Sequence, residues 1–300
     1  MNRPPLDRHK LGQTLTRLAN ASASELMARP LRDPPEVLAR RIGITGAPGA
    51  GKSTLLGHLA LHRARDRRLG ILAVDPSSPK SGGAILGDRI RMDELAGASE
   101  LYIRSLGSRA TCDGLADNLP EMLDAMDDFS FAEVMLETVG VGQVEYAARA
   151  QVDTLVLLLL PDSGDMVQAM KAGIMEMADI FVVSKADLPG ARKMATDVKR
   201  IASINRQDRG AWAPSVLLAC ASQPESIQAL SAEIDRHQAW LETSERRAAL
   251  LLLRARYRLR RLVEVRTAEV LARQDSGFFE RPLAQQMASV LDLLGQAITR

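Results

Sequence analysis

The segment Gly46-Ala47-Pro48-Gly49-Ala50-Gly51-Lys52-Ser53 matches the eight-position pattern G-x-x-x-x-G-K-[ST], a phosphate-binding signature. It stands between an apolar run at residues 42–45 and a helical pattern opening at Lys52, the strand-to-helix context in which such a loop works. Gly46, Gly49 and Gly51 let backbone N–H groups crowd around phosphate oxygens, with Ala47, Pro48, Ala50 and the first-turn residue Thr54 completing the loop. The helix N-terminus adds partial positive charge, Lys52 supplies a full charge to β- and γ-phosphates, and Ser53 offers a hydroxyl to Mg²⁺. A glycine-rich structural turn that merely contains Gly-Lys-Ser is the bland alternative, and the flanking strand and helix argue against it.

Acids at neighbouring strand ends extend this chemistry. Asp75 closes the run Ile71-Leu72-Ala73-Val74, where the carboxyl edge of a parallel sheet faces the ligand crevice, and is a candidate Mg²⁺ ligand, directly or through water. The loop at residues 76–88 has the composition of a switch segment ordered by γ-phosphate and metal, and its last residue, Asp88, joins the candidate metal and catalytic set. After Val134-Met135-Leu136 comes Glu137-Thr138-Val139-Gly140, in which Glu137 takes the place of Asp in the DxxG element of GTPases and Gly140 can donate its N–H to a γ-phosphate. Lys52, Glu137 and Asp88 form the candidate catalytic set, and Ser53, Asp75, Asp88 and Glu137 the candidate metal set. Helix caps or surface carboxylates are the bland readings of these acids. No residue stands out as a positioner of attacking water, although Gln143 is near.

Base selection follows from Ser184-Lys185-Ala186-Asp187, a near match to NKxD. A carboxylate at Asp187 accepts from the N1–H and exocyclic amine of guanine, whereas adenine presents an acceptor at N1. The Lys185 stem can cover the base, while Ser184, a further candidate nucleotide contact, stands where Asn is usual and is expected to weaken the tie from this loop to N7 of the base and to the P-loop. The loop Ala219-Cys220-Ala221-Ser222 can close over the base, with Ala221 as its contact. Otherwise Lys185-Ala186-Asp187 is only a helix start. GTP or GDP with Mg²⁺ are the expected ligands.

These residues need a scaffold that brings strand ends together. Seven short apolar runs, near residues 42–45, 71–75, 101–104, 131–137, 154–160, 179–184 and 215–219, alternate with helical patterns, predicting a doubly wound, mostly parallel α/β sheet. A helix over residues 8–19 is followed by a proline-rich stretch that cannot continue it. After Pro224 only helical stretches remain, near 225–240, 243–273 and 281–298. The expected organisation is an N-terminal helical arm (1–40), a nucleotide-binding domain (41–224) and a C-terminal helical arm (225–300), the last the better candidate for dimerisation.

Composition narrows the partners. With 300 residues and 46% hydrophobic content the chain can bury a full core. A net charge of +2 and 3% aromatic residues disfavour a nucleic-acid partner. Two cysteines without CxxC spacing suit a reducing compartment, and the aliphatic run at residues 155–160 is too short to span a bilayer, so a cytoplasmic protein without a membrane partner is expected. His58 and His62, four apart on the P-loop helix, lack a third ligand and read as surface or core residues. The basic stretch at residues 254–266 reads as a solvated face on a dimerising helix, or alternatively a nucleic-acid or membrane patch. Met166, Met170, Met175 and Met177 read as packing, though they also suit a partner surface.

Taken together, the segments 43–56, 73–92, 136–145, 157–165 and 171–187 resemble the MeaB/ArgK family, the strings DPSSP-x-x-GG-x-ILGD and ETVGVGQ not being shared by GTPases in general. The resemblance covers residues 42–187 and implies a cytosolic homodimeric GTPase that docks on an adenosylcobalamin-dependent acyl-CoA mutase, or its cobalamin-binding subunit, gates cofactor transfer and keeps the mutase active. It also implies switch regions at residues 140–143 and 161–165. Methylmalonyl-, isobutyryl-, 2-hydroxyisobutyryl- and ethylmalonyl-CoA mutases are all compatible partners. Ser184 and the segment 104–117 depart from the family pattern. Ala47, where ParA/MinD-type proteins carry a lysine, disfavours that branch. A metal-insertion GTPase of the nickel-chaperone type is the rival reading, weakened by the presence of only 4 His and 2 Cys. A transport-associated kinase has no visible support.

Overall fold

The computed structural model describes residues 5–30, 37–76, 100–108, 115–116, 118–138, 143–161, 173–204, 211–243 and 245–296, without the side chains of residues 75, 76, 108, 143–145, 174, 204 and 296. Asp88, Gly140, Cys112, Met166, Met170, the loop at residues 77–88 and most of both expected switch regions lie outside that description.

In chain order the elements are α1 (Arg8–Ala19), α2 (Ala23–Met27), β1 (Arg40–Gly46), α3 (Lys52–Arg63), β2 (Leu69–Pro76), β3 (Leu101–Ser108), α4 (Leu119–Asp128), β4 (Glu133–Glu137), α5 (Gln143–Arg149) and β5 (Thr154–Leu159). A 3₁₀ turn (Ile174–Glu176) then precedes β6 (Ile180–Val183), α6 (Ala191–Ile204), β7 (Ser215–Leu218), α7 (Pro224–Glu242), α8 (Arg246–Leu271), α9 (Ser276–Phe279) and α10 (Leu283–Gln296). The strands form one sheet in the order β3-β2-β4-β1-β5-β6-β7, and every pairing among the described residues is parallel. The expected doubly wound sheet is therefore observed.

Strand residues alternate between two cores, as the two-residue period of a strand requires. On one face Leu72, Val134, Leu136 and Leu155 pack with α1 and α4; on the other Ile42, Ile44, Ile71, Met135, Val156 and Val182 pack with α3 and α7. Burial on both faces explains why these strands are continuous apolar runs. The short helix α2 was not expected from the sequence. A capping box, in which the Ser22 hydroxyl accepts from the Glu25 N–H and Glu25 reaches back to the Ser22 N–H, starts it.

The amino edge of the sheet is tied by charge. Arg63, at the end of α3, donates to both oxygens of Glu133 at 2.8 and 2.5 Å, to the Ser231 hydroxyl at 2.7 Å and to Asp235 at 2.7 Å. Arg41 donates to Asp127 at 3.0 Å, and burial pushes the Asp127 carboxyl above its ordinary value although Arg41 opposes the shift. The basic stretch of α8 is solvated on one side only. Arg254 donates to Asp153 at 2.7 Å, and Arg258 pairs with Glu121 at 2.8 Å and Asp124 at 2.9 Å. The side chains of Arg254 and Arg261 are only 12% and 7% exposed, so one side of the stretch packs inward, while Arg258 and Arg260, at 49% and 62% exposed, lie on the side that faces water.

Candidate nucleotide site

The phosphate cradle is shaped by backbone. A Cβ at Gly46 would lie 2.3 Å from the Leu158 carbonyl oxygen, so only glycine lets β1 pass this close to β5 as it enters the loop. Gly51 precedes α3 with φ +83°, a left-handed conformation that turns the chain into the helix and leaves the first helical N–H groups at the loop mouth. Between them, the Ala50 N–H donates to the Ala47 carbonyl at 3.2 Å, while Pro48 and Gly49 are exposed. The Lys52 ammonium donates to the Gly46 and Ala47 carbonyls at 2.8 and 3.0 Å, which holds its charge over the cradle. Thr54 lies exposed in the first turn.

At the mouth of this loop the Ser53 hydroxyl donates to Glu137 Oε1 at 2.6 Å, and Glu137 is only 7% exposed. Two hard oxygen donors, one anionic, thus meet beside the helix N-terminus, the donor chemistry that suits Mg²⁺. Glu137 ends β4, the strand between β1 and β2, and its register partner on β2 is Ala73. The backbone of Asp75 lies two residues further along β2, towards the same carboxyl edge. Next to Glu137, the Thr138 hydroxyl donates to the Thr45 hydroxyl at 2.9 Å.

Two strands away, the base-recognition segment leaves β6. Parallel neighbours lie about 4.8 Å apart, so the ends of β1 and β6 are separated by roughly 10 Å, a nucleoside's span. Lys185 adopts φ +48° and the Leu188 N–H closes a turn onto its carbonyl at 2.8 Å, so Asp187 lies within the turn. The Ala186 N–H donates to the Ala219 carbonyl at 3.1 Å, joining this loop to residues 219–222. The Ser184 hydroxyl is buried and donates to the Leu159 carbonyl at 3.2 Å. It therefore braces the loop to β5. Ala221 lies half-buried in the facing loop.

Two contacts here were not expected from the sequence. The Cys220 thiol donates to Asp187 Oδ1 at 3.3 Å, and the Thr45–Thr138 pair joins segments 93 positions apart. Only the closeness of Cys220 to the expected base loop offered a signal. Of the bland residues, His58 is exposed, and Met175 is buried with Leu157, Leu159 and Phe181. Among the described residues no three His, Cys, Asp or Glu side chains cluster as a metal site.

A seven-stranded parallel sheet carrying this loop between β1 and α3 defines a P-loop nucleotide-binding protein. The chain belongs to the family described as methylmalonyl-CoA mutase-associated GTPase MeaB, matched over residues 14–275. It is 42% identical over 213 residues to a putative GTPase of Pyrococcus abyssi, covering 68% of this chain and 64% of that protein. It is 39% identical over 202 residues to the mitochondrial methylmalonic aciduria type A homolog of Mus musculus, covering 66% of this chain and 48% of that protein. The chain thus spans less than two thirds of the length of these relatives. A solved structure titled LAO/AO transport system kinase shares the fold, with TM-score 0.67, 23% identity and coverage of 96% of this chain and 94% of that one.

Proposed function

We propose that the chain is a Mg²⁺-dependent GTPase that converts GTP and water to GDP and phosphate, and that its nucleotide state regulates an adenosylcobalamin-dependent acyl-CoA mutase or its cobalamin-binding subunit. The observation that carries the chemistry is the convergence of Lys52, Ser53 and Glu137 at one strand edge, with Ser53 Oγ 2.6 Å from Glu137 Oε1. Ser53 and Glu137 would hold Mg²⁺, with Asp75 and Asp88 as further candidates; an ion there would supply positive charge to offset the negative charge of the phosphates. Lys52 and the loop N–H groups at 46–54 stabilise the charge that gathers on the bridging oxygen as water bonds to the γ-phosphorus and the β–γ P–O bond breaks. Gly140 supplies a further donor to the γ-phosphate, and Asp187 reads guanine.

The family's description as mutase-associated supports the partner. A nucleotide-dependent surface biases a partner only through different affinities for its states. Titrating purified mutase into the GTP-analogue and GDP forms, while following phosphate release, is expected to give different affinities and faster hydrolysis. Equal affinities with unchanged hydrolysis would leave a GTPase without this partner.

The C-terminal arm serves as the dimer contact in this reading. On α8, Leu259 and Val263 are 64% and 51% exposed, and on α10 Leu283, Met287 and Leu291 are 76%, 57% and 59% exposed, each set spaced four apart on one helix face. A second copy of the chain would cover them. Sedimentation at micromolar concentration is expected to give twice the chain mass, and a monomer would remove the dimer assignment. A cytoplasmic location accords with this role; among the described residues no helix is long and apolar enough to cross a membrane.

A further inference from the structure

Two buried hydroxyls sit where the phosphate cradle and the Glu137 strand part company. Thr45 is the last residue before Gly46 and is fully buried, and Thr138 is the first after Glu137 and is 1% exposed. Strands β1 and β4 pair up to Ile44 and Glu137. The Thr138 N–H carries the pairing one step further, donating to the Ile44 carbonyl at 3.2 Å, and its hydroxyl donates to Thr45 Oγ1 at 2.9 Å. Glu137 is thereby held twice. Its backbone is fixed through Thr138 to the residue that enters the cradle, and its carboxylate through Ser53 to the residue that leaves it.

Packing does not call for this pair. The neighbouring strand positions Ile42, Ile44, Val134 and Leu136 are fully buried aliphatics, and valine would fill the place of either threonine with equal β preference and no polar group to satisfy. Hydroxyls kept at such a place serve geometry, because a bond between fixed partners defines one relative position where apolar contact allows several.

Resting on the GTPase reading above, we propose that Thr138 is a positioning residue for Glu137, and that the Thr45–Thr138 bond helps the site prefer a nucleoside triphosphate over a diphosphate. A diphosphate is held mainly by the cradle at 46–53. The γ-phosphate and its Mg²⁺ also need Glu137 at a fixed distance from Ser53, and Gly140 follows Thr138 by two residues in the sequence. Loosening the bond therefore weakens triphosphate binding more than diphosphate binding.

The test compares wild type with Thr138→Val, Thr138→Ser, Thr45→Val and the double valine variant. Calorimetric titration with GDP and with a non-hydrolysable GTP analogue, both in Mg²⁺, gives the triphosphate-to-diphosphate affinity ratio, and a melting curve reports stability. Thr138→Val should lower the ratio roughly three- to tenfold, and Thr138→Ser should restore it to within about twofold of wild type. Thr45→Val should lose at least as much, and the double variant should lose no more than Thr45→Val, because the bond between the two threonines is already absent in each single variant. A ratio unchanged in both valine variants, whatever happens to the melting temperature, would assign the pair to stability and overturn the proposal; so would a serine variant no better than valine. Wild-type protein that binds no GTP analogue would instead overturn the GTPase reading, so the two failures are distinguishable.

Discussion

The two edges of the sheet are made of different materials. At the carboxyl edge the shape comes from backbone: Gly46 grazing Leu158, Gly51 and Lys185 in left-handed conformations, and a few short side-chain bonds such as Ser53–Glu137 and Cys220–Asp187. At the amino edge it comes from charged side chains: Arg63 with Glu133 and Asp235, Arg41 with Asp127, Arg254 with Asp153, and Arg149 with Asp179, which stands 3.4 Å from the buried His237 ring beside Trp212. Backbone amides and open loops suit an edge that must accept a phosphate chain and release it. Interlocked ions suit an edge that must hold α7 and α8 in one place. The difference separates a pole for ligand from a pole for stability, and substitutions at the two should separate accordingly.

The largest expected effect is on chemistry. Lys52→Ala should reduce GTP hydrolysis by at least about 100-fold, because it removes a full charge from the phosphates as charge develops, while shifting the melting temperature little. Steady-state phosphate release and a melting curve check both halves; retained hydrolysis would remove the P-loop assignment. On the opposite edge, Arg63→Met leaves Glu133, whose side chain is 1% exposed, with Arg67 at 2.8 Å in place of two arginines, and should lower unfolding free energy by about 2–4 kcal/mol with GDP affinity of the folded protein unchanged. Denaturant unfolding measures the loss, and a change below about 1 kcal/mol would show that the amino edge does not depend on this network.

Smaller effects sharpen the base side of the carboxyl edge. Asp187→Asn should weaken GTP roughly tenfold or more and improve xanthine nucleotide relative to it, since an amide can offer a donor where xanthine presents an acceptor. Competition between the two nucleotides reads this out, and an unchanged ratio would mean that Asp187 does not face the base. Smallest of all, Cys220→Ala should reduce guanine preference by about two- to threefold and Cys220→Ser should not, because a hydroxyl can replace the weak thiol donor to Asp187. Equal behaviour of the alanine and serine variants would show that the thiol bond to Asp187 is incidental.

The carboxyl edge was largely legible in the sequence, and the amino edge was not. The seven apolar runs emerge as seven strands, residues 42–45 lying within Arg40–Gly46 and residues 154–160 covering Thr154–Leu159, because strands buried on both faces need uninterrupted apolar side chains. Phosphate binding condenses into one contiguous motif, since a loop and the helix it feeds do the work together. Ion pairs carry no such local mark. Arg254 meets a partner 101 positions away and Arg258 one 134 positions away, so the packed side of this stretch cannot be told from its solvated side until those partners are in view. The Thr45–Thr138 bond is hidden for the same reason, although both residues border recognised motifs. Ser184 illustrates the converse: the motif marks its place, but its bond to the Leu159 carbonyl, 25 positions away, has no local sign.

Guanine selection tests the account most directly, because it requires the phosphate cradle and the Asp187 loop to act on one molecule. Calorimetric titration of the wild-type chain with GTP analogue and with ATP analogue in Mg²⁺, repeated as a phosphate-release assay with GTP and ATP, should give one site per chain. Binding and hydrolysis should favour the guanine nucleotide by at least about tenfold, the value of one charge-assisted base contact. Equal affinity for the two bases, or hydrolysis of ATP at the same rate as GTP, would contradict the assignment of Asp187 and with it the central claim.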